Sequence, residues 1–299
     1  MSIALISERS DHFRDFSVWP RQQDFNVESW LQNFDNSEMY IAKRLLSSFT
    51  YFNKPMTGAL MRHSIQKFLS AAWDRGGFPE PPAALNTGDV CFVKCEGEDP
   101  RATDSGNLFA RKLRDELRIP DKNIMAPLEA LRTAGLFRHF VFVDDFVGSG
   151  NQFLDTLCRK HSSVKPYESF SALLADNKHT VSYCPCVATS YAQYTRIAPV
   201  FPQVSLYPAH VLVPDHNATS SSSRVWHGME TSEAQAAIDV LRAISERAGY
   251  DKDDGGQDAW HGFHKLGLTL GFEHGIPDAS LPIFFSERNG WRPLMRRAP

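Results

Sequence analysis

Two neighbouring aspartates, Asp144 and Asp145, stand between the apolar run His139 to Val143 and the turn sequence Gly148-Ser149-Gly150-Asn151. Carboxylates cannot by themselves hold a phosphate. They can accept hydrogen bonds from two vicinal sugar hydroxyls, or hold a Mg²⁺ ion that offsets a crowd of anions. The turn supplies the complementary chemistry: Ser caps a helix or donates its hydroxyl, Gly lets the backbone come close to an anion, and the free amides and dipole of a helix start favour phosphate. Acids at the sugar and S-G-N at the phosphate together describe a phosphorylated ribose.

The pattern S-G-N-x-F occurs a second time, at Ser105-Gly106-Asn107, ahead of the amphipathic run Gly106 to Leu117. This copy is reached through a longer polar loop, Glu96 to Asp104, which contains Arg101. Two such cups at neighbouring strand ends suit a ligand with two phosphate groups separated by a sugar. Arg101, Arg111 and Lys112 could meet diphosphate charge, although charges so placed more often form a solvated helix face.

These residues need elements to position them. Asp89 to Cys95 reads as a short β-rich run. His139 to Val143 lacks polar alternation, which suits a strand buried on both faces of a parallel sheet. Val181 to Val187 and Val204 to Val213 read as further strands. Between them lie helical patterns at Gly106 to Leu117, Pro127 to Ala134, Asn151 to Lys160, Glu168 to Ala175 and Tyr191 to Ile197. Repeated β-α-β units of this length predict a Rossmann-like α/β core, a parallel sheet with helices on both sides, over 89–213. Ahead of it, 1–88 reads as a helical lead-in with a Pro- and Gly-rich connector. After it, 214–299 reads as a Ser-rich loop, a helix over Ser232 to Ala248, and a Pro- and aromatic-rich segment able to act as a lid.

Composition narrows the classes. At 299 residues and 42% hydrophobic the chain can bury a substantial core, and Lys+Arg 32 against Asp+Glu 35 leaves no basic footprint for nucleic acid. No long apolar run or secretion signal is present, and the five cysteines, Cys91, Cys95, Cys158, Cys184 and Cys186, fit reduced thiols in the cytoplasm. Cys184-Pro185-Cys186 and His261-x-x-His264 lack the further ligands of a zinc site and read as structural. Phe284, Phe285 and Trp291 read as core or lid packing, with His274 and Asp278 as candidate base contacts on the same segment.

The segment VFVDDFVGSGNQ resembles the signature of type I phosphoribosyltransferases for 5-phosphoribosyl 1-diphosphate (PRPP). In that family an apolar strand is followed by two acids and a Ser/Thr-Gly-x-Thr loop. The resemblance implies that Asp144 and Asp145 are the ribose-binding, catalytic acids and contribute to Mg²⁺ binding. It also implies that Phe146, Val147, Gly148, Ser149 and Gly150, continued by Asn151 and Gln152, hold the 5′-phosphate. Gln152 stands where the family usually has Thr. Ser105, Gly106 and Asn107, with Arg101, take the place of the pyrophosphate loop.

More widely, the chain is similar to phosphoribosyltransferase-like proteins of bacterial conflict systems, some of them associated with retrons. Its helical lead-in ending in FTYF, its DSGN loop, the DDFVGSGNQF core and the terminal PDASLPIFF and GWRPLMRR carry that likeness. The likeness implies a role in anti-phage defence and a partner protein. Two activities stay open, phosphoribosyl transfer to a nucleotide-type acceptor and non-catalytic sensing of PRPP or a nucleotide.

Overall fold

The computed structural model describes residues 3–21, 23–74, 88–96, 105–161 and 165–297. In chain order the helices are α1 (Ile3–Asp15), α2 (Val27–Leu31), α3 (Met39–Ser48), α4 (Lys54–Asp74), α5 (Ser105–Leu117), α6 (Pro127–Arg132), α7 (Asn151–Cys158), α8 (Phe170–Leu174), α9 (Ala198–Val200) and α10 (Thr231–Arg247). The strands are β1 (Thr50–Phe52), β2 (Val90–Lys94), β3 (Ile124–Met125), β4 (His139–Val147), β5 (Thr180–Thr189), β6 (Ser205–Leu206), β7 (His210–Leu212) and β8 (Leu270–Phe272). By contacts the chain falls into two units. Met1–Met56 and Val213–Pro299 form one, and Thr57–Leu212 forms the other. The two chain ends thus share a core, and α4, apart from its first residues, belongs with the sheet.

The sheet unit carries the predicted α/β architecture. Six strands run in the order β3-β2-β4-β5-β6, with β7 also on β5, and every pairing is parallel. The central strand β4 is buried from His139 to Asp144, which explains its unbroken apolar run. One face of the sheet, with Phe140, Phe142 and Tyr183, packs on Ala130 and Leu131 of α6, Phe153 and Leu157 of α7, and Phe170 and Leu173 of α8. Towards the other face, the Cys186 Sγ lies 3.6 Å from the Thr57 carbonyl of α4, and Phe68 of the same helix meets His139 edge-on. Gly58 lets α5 come close to α4, since a Cβ there would sit 2.6 Å from a Glu116 carboxylate oxygen.

Two local expectations are corrected. Val204 to Val213 is two strands, because Pro208 interrupts the run between β6 and β7. These pair with β5 at Ser182–Tyr183 and at Val187–Thr189, and the gap falls at Pro185, which has no N–H to give a ladder. Tyr191–Ile197 is a helix, but of the wider π type.

The other unit is held by aromatics from both chain ends. Trp30 stacks on Phe284 at 5.6 Å, and Phe49 meets the same ring at 4.8 Å. Phe34 meets Trp291 at 5.5 Å. Short β1 pairs in parallel with β8. Phe284, Phe285 and Trp291 are therefore core residues here. Among the described residues no helix is long and apolar enough to cross a membrane.

Candidate functional site

After β2 the chain moves to β3 on one side, and then crosses back over β2 to place β4 on the other. This reversal makes the carboxyl ends of β2 and β4 the topological switch point of the sheet, the position where open parallel sheets bind ligands. The strands are direct neighbours, with Lys94 opposite Val143. The helices that follow them, α5 and α7, are the two that begin with S-G-N. Topology therefore brings both copies of the motif to adjacent strand ends.

The two copies are built differently. Gly106 lies against the end of β2, where a Cβ would come 2.0 Å from the Cys95 carbonyl oxygen, so only glycine permits this approach of helix to strand. Ser105 opens α5, its side chain outside the described set, and Arg101 and most of the loop before it also lie outside the described residues. Asn107 accepts a hydrogen bond from the Lys94 ammonium at 3.4 Å. Beside that pair, a cavity of about 350 Å³ is lined by Lys94, Asn107, Arg111, Arg114 and Asp121 among others. Lys112 faces inward instead, almost fully buried, with Glu116 at 3.4 Å.

In the second copy, Gly150 adopts φ +82°, the left-handed conformation that lets the chain turn out of β4 and into α7. A Cβ there would approach Ile197 at 3.1 Å. The glycine is thus required by the turn and by its packing whether or not an anion binds. The Ser149 hydroxyl accepts from the Asn151 amide at 3.3 Å. Gly148 accepts from the Thr189 hydroxyl through its carbonyl. Gln152 turns its amide to the Glu96 carbonyl at 3.2 Å, and Arg159 bridges the Glu96 carboxylate at 3.2 Å, so α7 is tied to the end of β2.

The acids separate. Asp144, Asp145, Phe146 and Val147 are not in a loop but continue β4, and consecutive strand residues face opposite sides. Asp144 shares a face with Phe142 and is 3% exposed. Its carboxylate accepts from the Tyr183 hydroxyl at 3.1 Å and from the Asp145 amide at 3.0 Å. Burial, and then the Asp144 charge, push the Tyr183 phenol well above its ordinary range, and the same two causes raise the Cys95 thiol. Cys95 and Tyr183 thus stay protonated and can act as donors to Asp144. Asp145 is half-buried, with its carboxylate accepting from the Phe146 amide at 2.8 Å. It faces the Cys186 side, where burial and then Asp145 raise that thiol. The two acids thus face opposite sides of the sheet, with both Asp144 oxygens accepting from protein donors and Asp145 the less buried of the two.

That arrangement bears on Mg²⁺. Among the described residues no three His, Cys, Asp or Glu side chains gather as a metal cage. The donor set fits an ion that arrives with phosphate oxygens and needs only Asp145 from the protein, the usual habit of Mg²⁺. The remaining candidates are elsewhere. Cys184 and Cys186 are buried free thiols, Cys184 raised to about 12 by burial. His261 pairs with Asp253 at 2.8 Å, and Asp278 takes a bond from Gln257 at 3.3 Å, in the other unit, where His264 and His274 also lie.

Sequence reading missed Tyr183, Glu96 and Arg196. The last donates to the Asn151 side chain at 2.7 Å from the π-helix after β5. No local pattern marks any of them, because each meets a partner distant in sequence.

The PRTase-CE family model matches residues 27–297, and the chain belongs to this phosphoribosyltransferase-like family. No curated protein matches it, and no solved structure does.

Proposed function

We propose that the protein binds PRPP or a related ribose phosphate at the carboxyl ends of β2 and β4, and transfers its phosphoribosyl group to, or cleaves, a nucleotide-type substrate. The observation that carries this reading is the meeting of two S-G-N helix starts at the switch point of a parallel sheet, in a chain of a phosphoribosyltransferase-like family. In this reading the amides at the start of α7 hold the 5′-phosphate, and Asp145 accepts from a ribose hydroxyl. The start of α5 and Lys94 receive the diphosphate. When bound, Mg²⁺ supplies charge neutralisation to the diphosphate, with Asp145 as its protein ligand. The bond from C1 to the diphosphate oxygen breaks, and an acceptor atom forms the new bond to C1 through an oxocarbenium-like state. The charge of Asp145 favours that state electrostatically, with no proton transfer asked of it. Asp144 serves as a buttress that fixes the strand end.

The defence role and a partner protein belong to the same proposal, on the strength of the likeness to conflict-system proteins. A second reading, binding without turnover, draws support from one feature: an acid of the pair is consumed inside the fold. Calorimetry with PRPP and ribose 5-phosphate, with and without Mg²⁺, tests the site, and pyrophosphate release with nucleotide acceptors separates the readings. Binding with release supports transfer, and binding without release supports the sensor. No binding of either sugar phosphate overturns both.

A further inference from the structure

The π-helix Tyr191–Ile197 follows β5 directly and lies against the turn into α7, since Ile197 and Ala192 are the side chains a Cβ on Gly150 would meet. Single π turns are uncommon and concentrate at functional positions. This one carries Arg196. Its Nη2 donates to the Asn151 side chain at 2.7 Å, and its Nε is buried with no hydrogen-bond partner. Among the described residues no carboxylate pairs with this guanidinium.

The surroundings make that arrangement electrostatically unfavourable. The start of α7 carries the positive end of a helix dipole and has no acidic residue in its first turn, and the Ser149 hydroxyl that accepts from its Asn151 amide is neutral. Gln152 and Phe153 find no acceptor for their amides among the described residues. A half-buried cation and a helix start with no acid in its first turn thus occupy one corner, a place that a negative charge would satisfy. The Gln152 side chain does not supply a donor to this corner, because its amide is engaged with the Glu96 carbonyl.

We propose that Arg196 is a direct ligand of the phosphate held at the start of α7, taking over through space the donor role that the Gln152 side chain does not fill. This rests on the ribose-phosphate reading above, and adds to it a residue from a different strand connection. Arg196 and the amides of α7 would grip the same phosphate, with Asn151 orienting the guanidinium. The charge-assisted contact makes Arg, rather than a neutral side chain, the residue the site requires.

The test compares the full chain with Arg196→Met, Arg196→Lys and Asn151→Asp, by calorimetry with ribose 5-phosphate and with inorganic phosphate, alongside thermal melts. Arg196→Met is expected to weaken both ligands by about tenfold or more while the melt holds or rises, because an uncompensated cation has gone. Arg196→Lys should recover part of the affinity. Asn151→Asp should raise the melt by giving Arg196 and the helix start a carboxylate, and should weaken phosphate binding. Wild-type affinity in Arg196→Met overturns the inference, as does a lowered melt together with unchanged binding. If the wild type binds inorganic phosphate through Arg196 but no ribose phosphate, the ribose reading falls and the anion ligand stands. If it binds neither, both fall.

Discussion

Asp144 shows how one side chain can carry a motif's chemistry in sequence and a different task in the fold. Its carboxylate sits on Tyr183, whose ring stacks on Phe153 at 4.1 Å, so the acid joins β4, β5 and α7 in one contact. Asp144→Asn places an amide N–H where Tyr183 and Cys95 already offer hydrogens. The variant should lose about 1–3 kcal/mol in denaturant unfolding, the cost of buried donors left unmatched. Asp145→Asn replaces a half-exposed group and should leave the unfolding midpoint nearly unchanged while abolishing ribose 5-phosphate binding by calorimetry. The opposite pattern, with Asp144→Asn silent in stability and Asp145→Asn retaining the ligand, would reverse the roles assigned to the two acids. Nothing in D-D-x-x-G-S-G predicts this division, because the pair reads as a loop until the strand is seen to run on to Val147.

Among the elements, those legible in sequence were the ones whose burial leaves a local signature. The interior run of β4, the amphipathic α5 and the Ala- and Leu-faced α10 each announce themselves within about a dozen residues. β1 and β3 are too short to carry a period, and β1 pairs with β8 from the far end of the chain. The ion pair that ties the start of α3 to α10 is similarly hidden. Glu38, at the start of α3, takes two bonds of 2.7 Å from Arg247 in the last turn of α10 and one of 3.0 Å from the Asp35 amide. Arg247 first, and then the Asp35 amide, hold the Glu38 carboxyl below its ordinary value of 4.5 against the opposing effect of burial. A depressed folded-state pKa contributes stability that is present above the unfolded value and lost as pH falls through the folded one. Acidification below 4.5 should therefore weaken this junction. Glu38→Gln should cost about 1 kcal/mol at neutral pH, allowing for the solvent exposure of Arg247, and should flatten the acid limb of a stability-versus-pH curve. An acid limb of unchanged slope in the variant would show that other carboxylates set it.

At the scale of the whole molecule, the chain leaves one unit after Met56, builds the sheet unit, and returns at Val213 to finish the first. Composition gave no hint of this return, because an aromatic-rich tail reads equally well as a lid over a site or as one half of a core. Phe284 shows what the tail does: it is fully buried, its ring meets Trp30 and Phe49, and its carbonyl accepts from the Leu294 and Met295 amides at 2.8 and 3.1 Å. Phe284→Ala removes a ring where partners from the other chain end cannot fully collapse, and should destabilise this unit by about 3–5 kcal/mol. The tryptophans make it readable. Trp19, Trp30, Trp226, Trp260 and Trp291 all lie in the unit formed by the chain ends, and Trp73 alone lies in the other. Tryptophan fluorescence during unfolding should show a transition displaced to lower denaturant, while ribose 5-phosphate affinity measured before that transition stays at the wild-type value. If affinity instead fell in step with the fluorescence midpoint, the tail would be contributing to the ligand site after all, and the lid reading of its sequence would return as its function.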